Sequence, residues 1–258
     1  MYRIDADTHI SSEKTGKRIT AEELIRQLDA VQVDKALVWL HPNQTEDEFC
    51  DEDAQNAYLA KSASRYAERL LPMGWVNPRK FPLDTVRGQI RRQLEEYGFY
   101  GIKLNGAQNF YDLANEAMIL PVVEEIAKVG CVLAFHSDAG EYTRPEKIAQ
   151  IAARFPETRI LLVHMGQTAC DAAIEAARTQ CNITLIGSGM KDYTYVEKAR
   201  KELGAHRVCY GSDAPFGRMN AVLDAYHAAL NGKAAKAEED LIYGGNLARV
   251  FGLEEKYT

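Results

Sequence analysis

Eight short apolar runs rich in β-branched residues recur along this 258-residue chain at a steady interval. They cover residues 4–9, 35–40, 70–76, 101–105, 131–136, 159–164, 182–187 and 207–212. Their starting points are about 29 residues apart, the length of one strand plus one crossover helix. The segments between them carry helical patterning. Thr20-Ala21-Glu22-Glu23 is a capping box that opens a helix through about Ala30. Helices are expected next over 54–69, 82–97, 114–129 (with Pro121 in a first turn), 144–154, 168–179, 192–203 and 219–230. The tail 245–253 reads as a short closing helix. Alternating strand and helix units require parallel strands joined by right-handed crossovers. Eight of them imply a (β/α)8 TIM barrel, one α/β domain over residues 1–258. No G-x-G-x-x-G follows the first strand to suggest a doubly wound sheet instead.

Composition narrows the function classes. With 46% hydrophobic residues the chain can bury a large core. No apolar stretch approaches the ~20 residues a membrane helix needs, and the start Met1-Tyr2-Arg3-Ile4-Asp5 lacks a secretory apolar region. A net charge of −6 argues against a general nucleic-acid binder. Five cysteines, none in a C-x-x-C, read as reduced, mostly buried thiols of a cytoplasmic protein.

In a barrel, chemistry resides where the strands end, and candidate metal ligands stand there. Asp7 and His9 end strand one, His136 ends strand five and Asp213 follows strand eight. In an extended segment, residues two apart face the same way, so Asp7 and His9 can grip one ion. Carboxylate and imidazole ligands suit one divalent ion: Zn²⁺ first, with Mn²⁺ or Fe²⁺ as alternatives. A water bound there has its pKa lowered to about 7 and becomes a nucleophile. Singly, a strand histidine is more often a core residue, and Asp213 could cap the next helix. Two histidines and two aspartates on three strands, each at the correct end, outweigh those readings. His164, ending strand six, is read as a proton carrier beside the metal, with ligation as its second role.

Lys103, at the end of strand four, has three readings. It is a carboxylated lysine bridging two metals, a cation holding a substrate carboxylate or phosphate, or a snorkelling surface lysine. The second is favoured. Trp39, His41, Asn105, Arg144 and Arg218 follow strands two, four, five and eight and join Lys103 as candidate substrate contacts. For each of these loop residues alone, a solvated side chain is the simpler account. His206 falls at the wrong end of its strand, and His227 lies within a helix. The acidic run 46–48 with 51–53 reads as a solvated loop and helix start.

These motifs together resemble the amidohydrolase superfamily, specifically its amidohydrolase-2 branch of metal-dependent TIM-barrel hydrolases and decarboxylases. The resemblance spans nearly the whole chain. It rests on Ile4-Asp5-Ala6-Asp7-Thr8-His9, Gly101-Ile102-Lys103-Leu104, Phe135-His136, Leu162-Val163-His164-Met165-Gly166, Gly211-Ser212-Asp213-Ala214-Pro215 and Asn246-Leu247-Ala248-Arg249-Val250-Phe251-Gly252-Leu253. It implies that Asp7, His9, His136 and Asp213 hold the metal and that His164 assists. In relatives that hydrolyse C–N or C–O bonds the strand-eight aspartate also takes a proton from water, which would give Asp213 two roles. The usual strand-one motif is H-x-H, so Asp7 departs from it. An acidic residue stands there in some non-oxidative decarboxylases of the branch, but those tend to be longer than 258 residues. The short loops here therefore favour hydrolysis of a small anionic ester, lactone or amide by a homodimeric enzyme. The alternatives are a decarboxylase of a small carboxylic acid and a metal-free binding barrel.

Overall fold

The computed structural model describes residues 2–12, 16–41 and 51–253. All eight expected strands are present: β1 (Ile4–Ile10), β2 (Lys35–Leu40), β3 in two pieces (Leu70–Pro72 and Gly74–Trp75), β4 (Gly101–Leu104), β5 (Val132–His136), β6 (Ile160–Val163), β7 (Ile183–Gly187) and β8 (Val208–Tyr210). Each pairs in parallel with the next. The ring closes where Thr8 bridges Ala214 and the His9 N–H donates to the Ala214 carbonyl at 2.7 Å.

The crossovers are α1 (Ala21–Ala30), α2 (Glu52–Arg65), α3 (Leu83–Arg91, extended by a π turn at Arg92–Glu96), α4 (Gly106–Asn109), α5 (Glu116–Val129), α6 (Pro145–Arg154), α7 (Cys170–Thr179), α8 (Thr194–Leu203) and α9 (Met219–Leu230). Two short helices follow, α10 (Lys236–Asp240) and α11 (Asn246–Phe251). The capping box forms as expected: Thr20 Oγ1 accepts the Glu23 N–H, and Glu23 accepts the Thr20 N–H at 2.9 Å. Pro121 sits one turn deeper than expected. Asn115 caps α5 by accepting the Met118 N–H, which places the proline inside the helix. Residues 46–48 of the acidic run lie outside the described residues. Its other half is not simply solvated: Asp51 caps α2, and buried Glu52 pairs with Lys80 at 2.9 Å. Among the described cysteines, Cys131, Cys170, Cys181 and Cys209 are free, and Cys181 is exposed rather than buried.

Strand residues are buried almost throughout because helices cover the outside and side chains fill the inside. Leu37, Trp39, Leu71, Met73, Trp75, Val132, Ala134, Leu161, Val163 and Cys209 form the inner cluster. Val38, Ile102, Leu104, Leu133, Phe135 and Leu162 face the helices. Each such side chain contributes roughly 1.5–3 kcal/mol by leaving water. Leu247, Ala248 and Phe251 of α11 pack onto the inner cluster and plug the end where the strands begin. The opposite end is left for chemistry.

Candidate active site

β1 carries Asp7 and His9 on one face, as their spacing requires. Its ladder with β2 shifts register between Asp5 and Thr8, a bulge of the kind that re-aims side chains beside active sites. Asp213 arrives from the end of β8. One ligand atom from each of Asp7, His9 and Asp213 lies within 4.8 Å of the other two. His9 Nε2 is 3.6 Å from Asp7 Oδ1 and 3.7 Å from Asp213 Oδ1. His9 Nδ1 lies 2.7 Å from the Leu40 carbonyl. A carbonyl only accepts, so Nδ1 holds the proton and the Nε2 lone pair faces the carboxylates.

This set is electrostatically incomplete by itself. Burial raises the Asp7 carboxyl above its usual range. Burial and then the Asp7 charge raise Asp213 well above it. Burial, then the Lys103 charge, pushes the His9 imidazole well below its usual value. Two crowded carboxylates and an oriented imidazole lone pair are a donor set that a divalent cation satisfies. The Trp39 indole N–H donates to both Asp7 Oδ1 (3.0 Å) and His9 Nε2 (3.1 Å). A cation on His9 would replace the indole as partner of Nε2.

His136 stands outside this trio, contrary to the four-ligand expectation. Its Nε2 lies 3.2 Å from Asp138 Oδ2, a pair that a cation binding at Nε2 would have to break. The His136 bond draws the Asp138 carboxyl down to about 2. The His136 ring meets His164 edge-on, with centroids 4.7 Å apart.

β6 ends at Val163, one residue earlier than expected. Strict alternation after inward Val163 would turn His164 outward. Instead His164 (φ 66°), Met165 (φ 44°), Gly166 (φ 74°) and Gln167 (φ 52°) form a left-handed run that brings the imidazole back to the site. Such non-glycine conformations cost roughly 1–3 kcal/mol each and persist where neighbours enforce them. Ser137 does so: its hydroxyl donates to the Val163 carbonyl at 2.7 Å and accepts the Gly166 N–H at 2.9 Å. His164 Nδ1 then lies 3.0 Å from Ser188 Oγ and 3.4 Å from Asp7 Oδ2. Ser188 also bonds Asp7 Oδ2. Burial, followed by the charges of His136 and Lys103, keeps His164 neutral. Gly189 (φ 59°) leaves room for this group: a Cβ there would lie 2.9 Å from His164 Nδ1 and 3.2 Å from Asp213 Oδ2.

Lys103 points into the barrel, in register with Trp75 and Ala134. It is fully buried, which removes the snorkelling reading. Its Nζ lies 3.7 Å from the Trp39 ring centroid and 3.9 Å from Asp7 Oδ1. His41 is buried, its ring 4.8 Å from that of Phe216, which also meets His9 edge-on at 5.5 Å. Three expected substrate contacts are engaged elsewhere. Asn105 spends its side chain capping α4, accepting the Gln108 N–H at 3.0 Å. Arg144 is half-exposed and pairs with Glu146 at 3.2 Å. Arg218 is exposed and lines an open surface cavity of about 450 Å³ with Gln27, Val31 and Asn220. Asp138, Ser188, Ser137 and Phe216 escaped the sequence reading. Asp138 and Ser188 each lie just past a strand end, the one positional signal they carry.

The sequence matches the family described as amidohydrolase over residues 4–253. No curated protein sequence matches it. Among solved structures, 5-carboxyvanillate decarboxylase from Sphingomonas paucimobilis superposes with a TM-score of 0.77 at 16% identity, covering 97% of this chain and 99% of that one. A dihydroxybenzoic acid decarboxylase from Polaromonas sp. JS666, with bound manganese and 2-nitroresorcinol, gives 0.74 at 16% identity, covering 100% and 99%. A probable 2-pyrone-4,6-dicarboxylic acid hydrolase from Acinetobacter baumannii, with citric acid bound, gives 0.65 at 16% identity, covering 98% and 100%. At these identities the likeness shows the shared barrel. The alignments span nearly the whole of the two decarboxylases and the hydrolase alike.

Proposed function

Because the chain belongs to the amidohydrolase family, we propose that it is a metal-dependent, non-oxidative decarboxylase of a small hydroxylated aromatic acid. This replaces the hydrolase favoured on the sequence. The observation that carries it is the two-sided placement of Asp213. Its Oδ1 faces His9, while its Oδ2 faces the space beside Gly189 and His164. One carboxylate oxygen can therefore serve the cation while the other is left to carry a proton toward the reacting carbon. Decarboxylation needs an acid at the reacting carbon, whereas hydrolysis needs a base at water first.

Asp7, His9 and Asp213 are the residues that would hold the cation. When bound, it would supply positive charge to the substrate carboxylate and its neighbouring oxygen. Two oxygen donors to one nitrogen favour Mn²⁺ over Zn²⁺, and manganese is present in the dihydroxybenzoic acid decarboxylase structure. Lys103 adds a second positive charge, His41 and Phe216 offer aromatic surface, and His164 stands ready to take a proton from a ring hydroxyl. The C–C bond to the carboxyl breaks, CO₂ leaves, and the electron pair left on the ring carbon takes its proton from Asp213.

The test uses manganese-loaded protein with a panel of ortho-hydroxy aromatic acids in ¹⁸O-water. CO₂ release with no solvent oxygen in the organic product is the expected result. Oxygen incorporation from hydrolysable analogues without CO₂ would replace this reading with hydrolysis. Asp213→Asn should lower kcat by about 10²–10⁴-fold at an unchanged Tm, and retained activity would reject its role. Protein that neither carries nor accepts Mn²⁺ or Zn²⁺ would defeat both enzyme readings.

A further inference from the structure

We infer that Ser188 is a positioning residue that locks the tautomer of His164, so that His164 enters the reaction as a base at Nε2. Ser188 Oγ has one proton and two buried neighbours, Asp7 Oδ2 and His164 Nδ1. Asp7 can hold a cation only as a carboxylate, and a carboxylate only accepts, so in metal-loaded protein the Ser188 proton goes to Asp7. Toward His164 the serine then offers a lone pair, which requires a proton on Nδ1. The second neighbour of Nδ1, Asp7 Oδ2 at 3.4 Å, is also an acceptor and makes the same demand. With Nδ1 protonated and the ring neutral, Nε2 carries the free lone pair.

The serine is itself held by neighbours on both sides. The Tyr226 hydroxyl donates to the Gly187 carbonyl at 2.8 Å. A Cβ at Gly187 would lie 2.3 Å from that same hydroxyl oxygen. On the other side, the left-handed backbone of Gly189 and its closeness to His164 Nδ1 exclude a side chain. The segment Gly187-Ser188-Gly189 thus holds one hydroxyl at one point, with no side chain on either flank to displace it. This gives His164 the starting state of a base at Nε2. That base role rests on the decarboxylase reading; the tautomer does not.

The test is the ¹⁵N imidazole spectrum of histidine-labelled, zinc-loaded protein without substrate, with His164→Asn identifying the signals. The expected His164 pattern has a proton-bearing Nδ1 and an unprotonated Nε2. Ser188→Ala should admit the Nε2–H form, and Ser188→Thr should restore the original pattern. An Nε2–H form in the parent protein, or an unchanged pattern in Ser188→Ala, would overturn the lock. In turnover, Ser188→Ala should lower kcat about 10–100-fold with KM nearly unchanged, and Ser188→Thr should recover much of it. Should the CO₂ test fail while the Nδ1–H tautomer is found, the reaction is wrong and the role of Ser188 stands.

Discussion

Lys103 carries its amine where water cannot reach it, and its Nζ has no hydrogen-bond partner among the described residues. Burial lowers it to about 8, while Asp7 and Asp213 pull in the opposite direction. A substrate carboxylate is the natural partner for such a cation. Lys103 is charged below about pH 8 and neutral above it, so KM should stay level at lower pH and rise as pH climbs through that value. Lys103→Met should raise KM by roughly 10–100-fold, the loss of one charge-assisted bond of about 1.5–3 kcal/mol. A pH-independent KM, or a Met variant that binds as tightly, would remove this role. The sequence left Lys103 open to a snorkelling surface position, whereas the pairing of Asp7 with His9 was legible in their alternation. Trp39 was legible as a site residue, but not as the donor that bridges Asp7 and His9, because that depends on how two strands register. Ser188 and Asp138 were illegible, because short polar residues after strands are common and only tertiary neighbours distinguish these two.

Among the elements, the segment after β6 departs most from its sequence pattern. Residues 159–164 read as a strand through the histidine, yet the strand stops at Val163. Gly166 announces a left-handed turn and His164 tolerates one, but Met165 and Gln167 adopt positive φ without a local preference for it. The cause lies on another element. Ser137, just past β5, satisfies one backbone group on each side of the turn. Ser137→Ala would leave a buried carbonyl and a buried N–H unpaired, at a cost of about 1–3 kcal/mol. Chemical denaturation should show that loss, and kcat should fall more than tenfold as His164 relaxes from its aim. A variant of normal stability and normal kcat would mean that the turn holds itself. The other strands and the long crossover helices were legible to within a few residues from apolar runs and helical patterning, whereas the short α4 and α10 were not read from the sequence.

For the whole molecule, the decisive step is closure of β8 onto β1. The repeat spacing implies a ring, but not what fastens its last strand to its first. Part of that fastening is Asp5, fully buried, whose Oδ1 accepts the Ser212 N–H at 2.9 Å and the Asp7 N–H at 3.1 Å. Its Oδ2 has no hydrogen-bond partner among the described residues. Burial raises its carboxyl to about 7, against the donated bonds from Ser212 and Asp7. A raised carboxyl holds its proton more tightly when the chain is folded. Its stabilising effect is therefore complete below the unfolded value near 4 and is lost as pH rises to about 7. Asp5→Asn keeps the acceptor oxygen and places an unpartnered donor where the protonated acid would place one. In metal-free protein the two should therefore be equally stable near pH 4. At pH 8 the asparagine variant should be more stable by an amount on the order of 3 kcal/mol, read from urea denaturation at both pH values. Equal stability at pH 8 would mean that the ionised carboxylate is better satisfied than its surroundings imply. A deficit at both pH values would show instead that closure depends on the carboxylate itself and not only on an acceptor for Ser212 and Asp7.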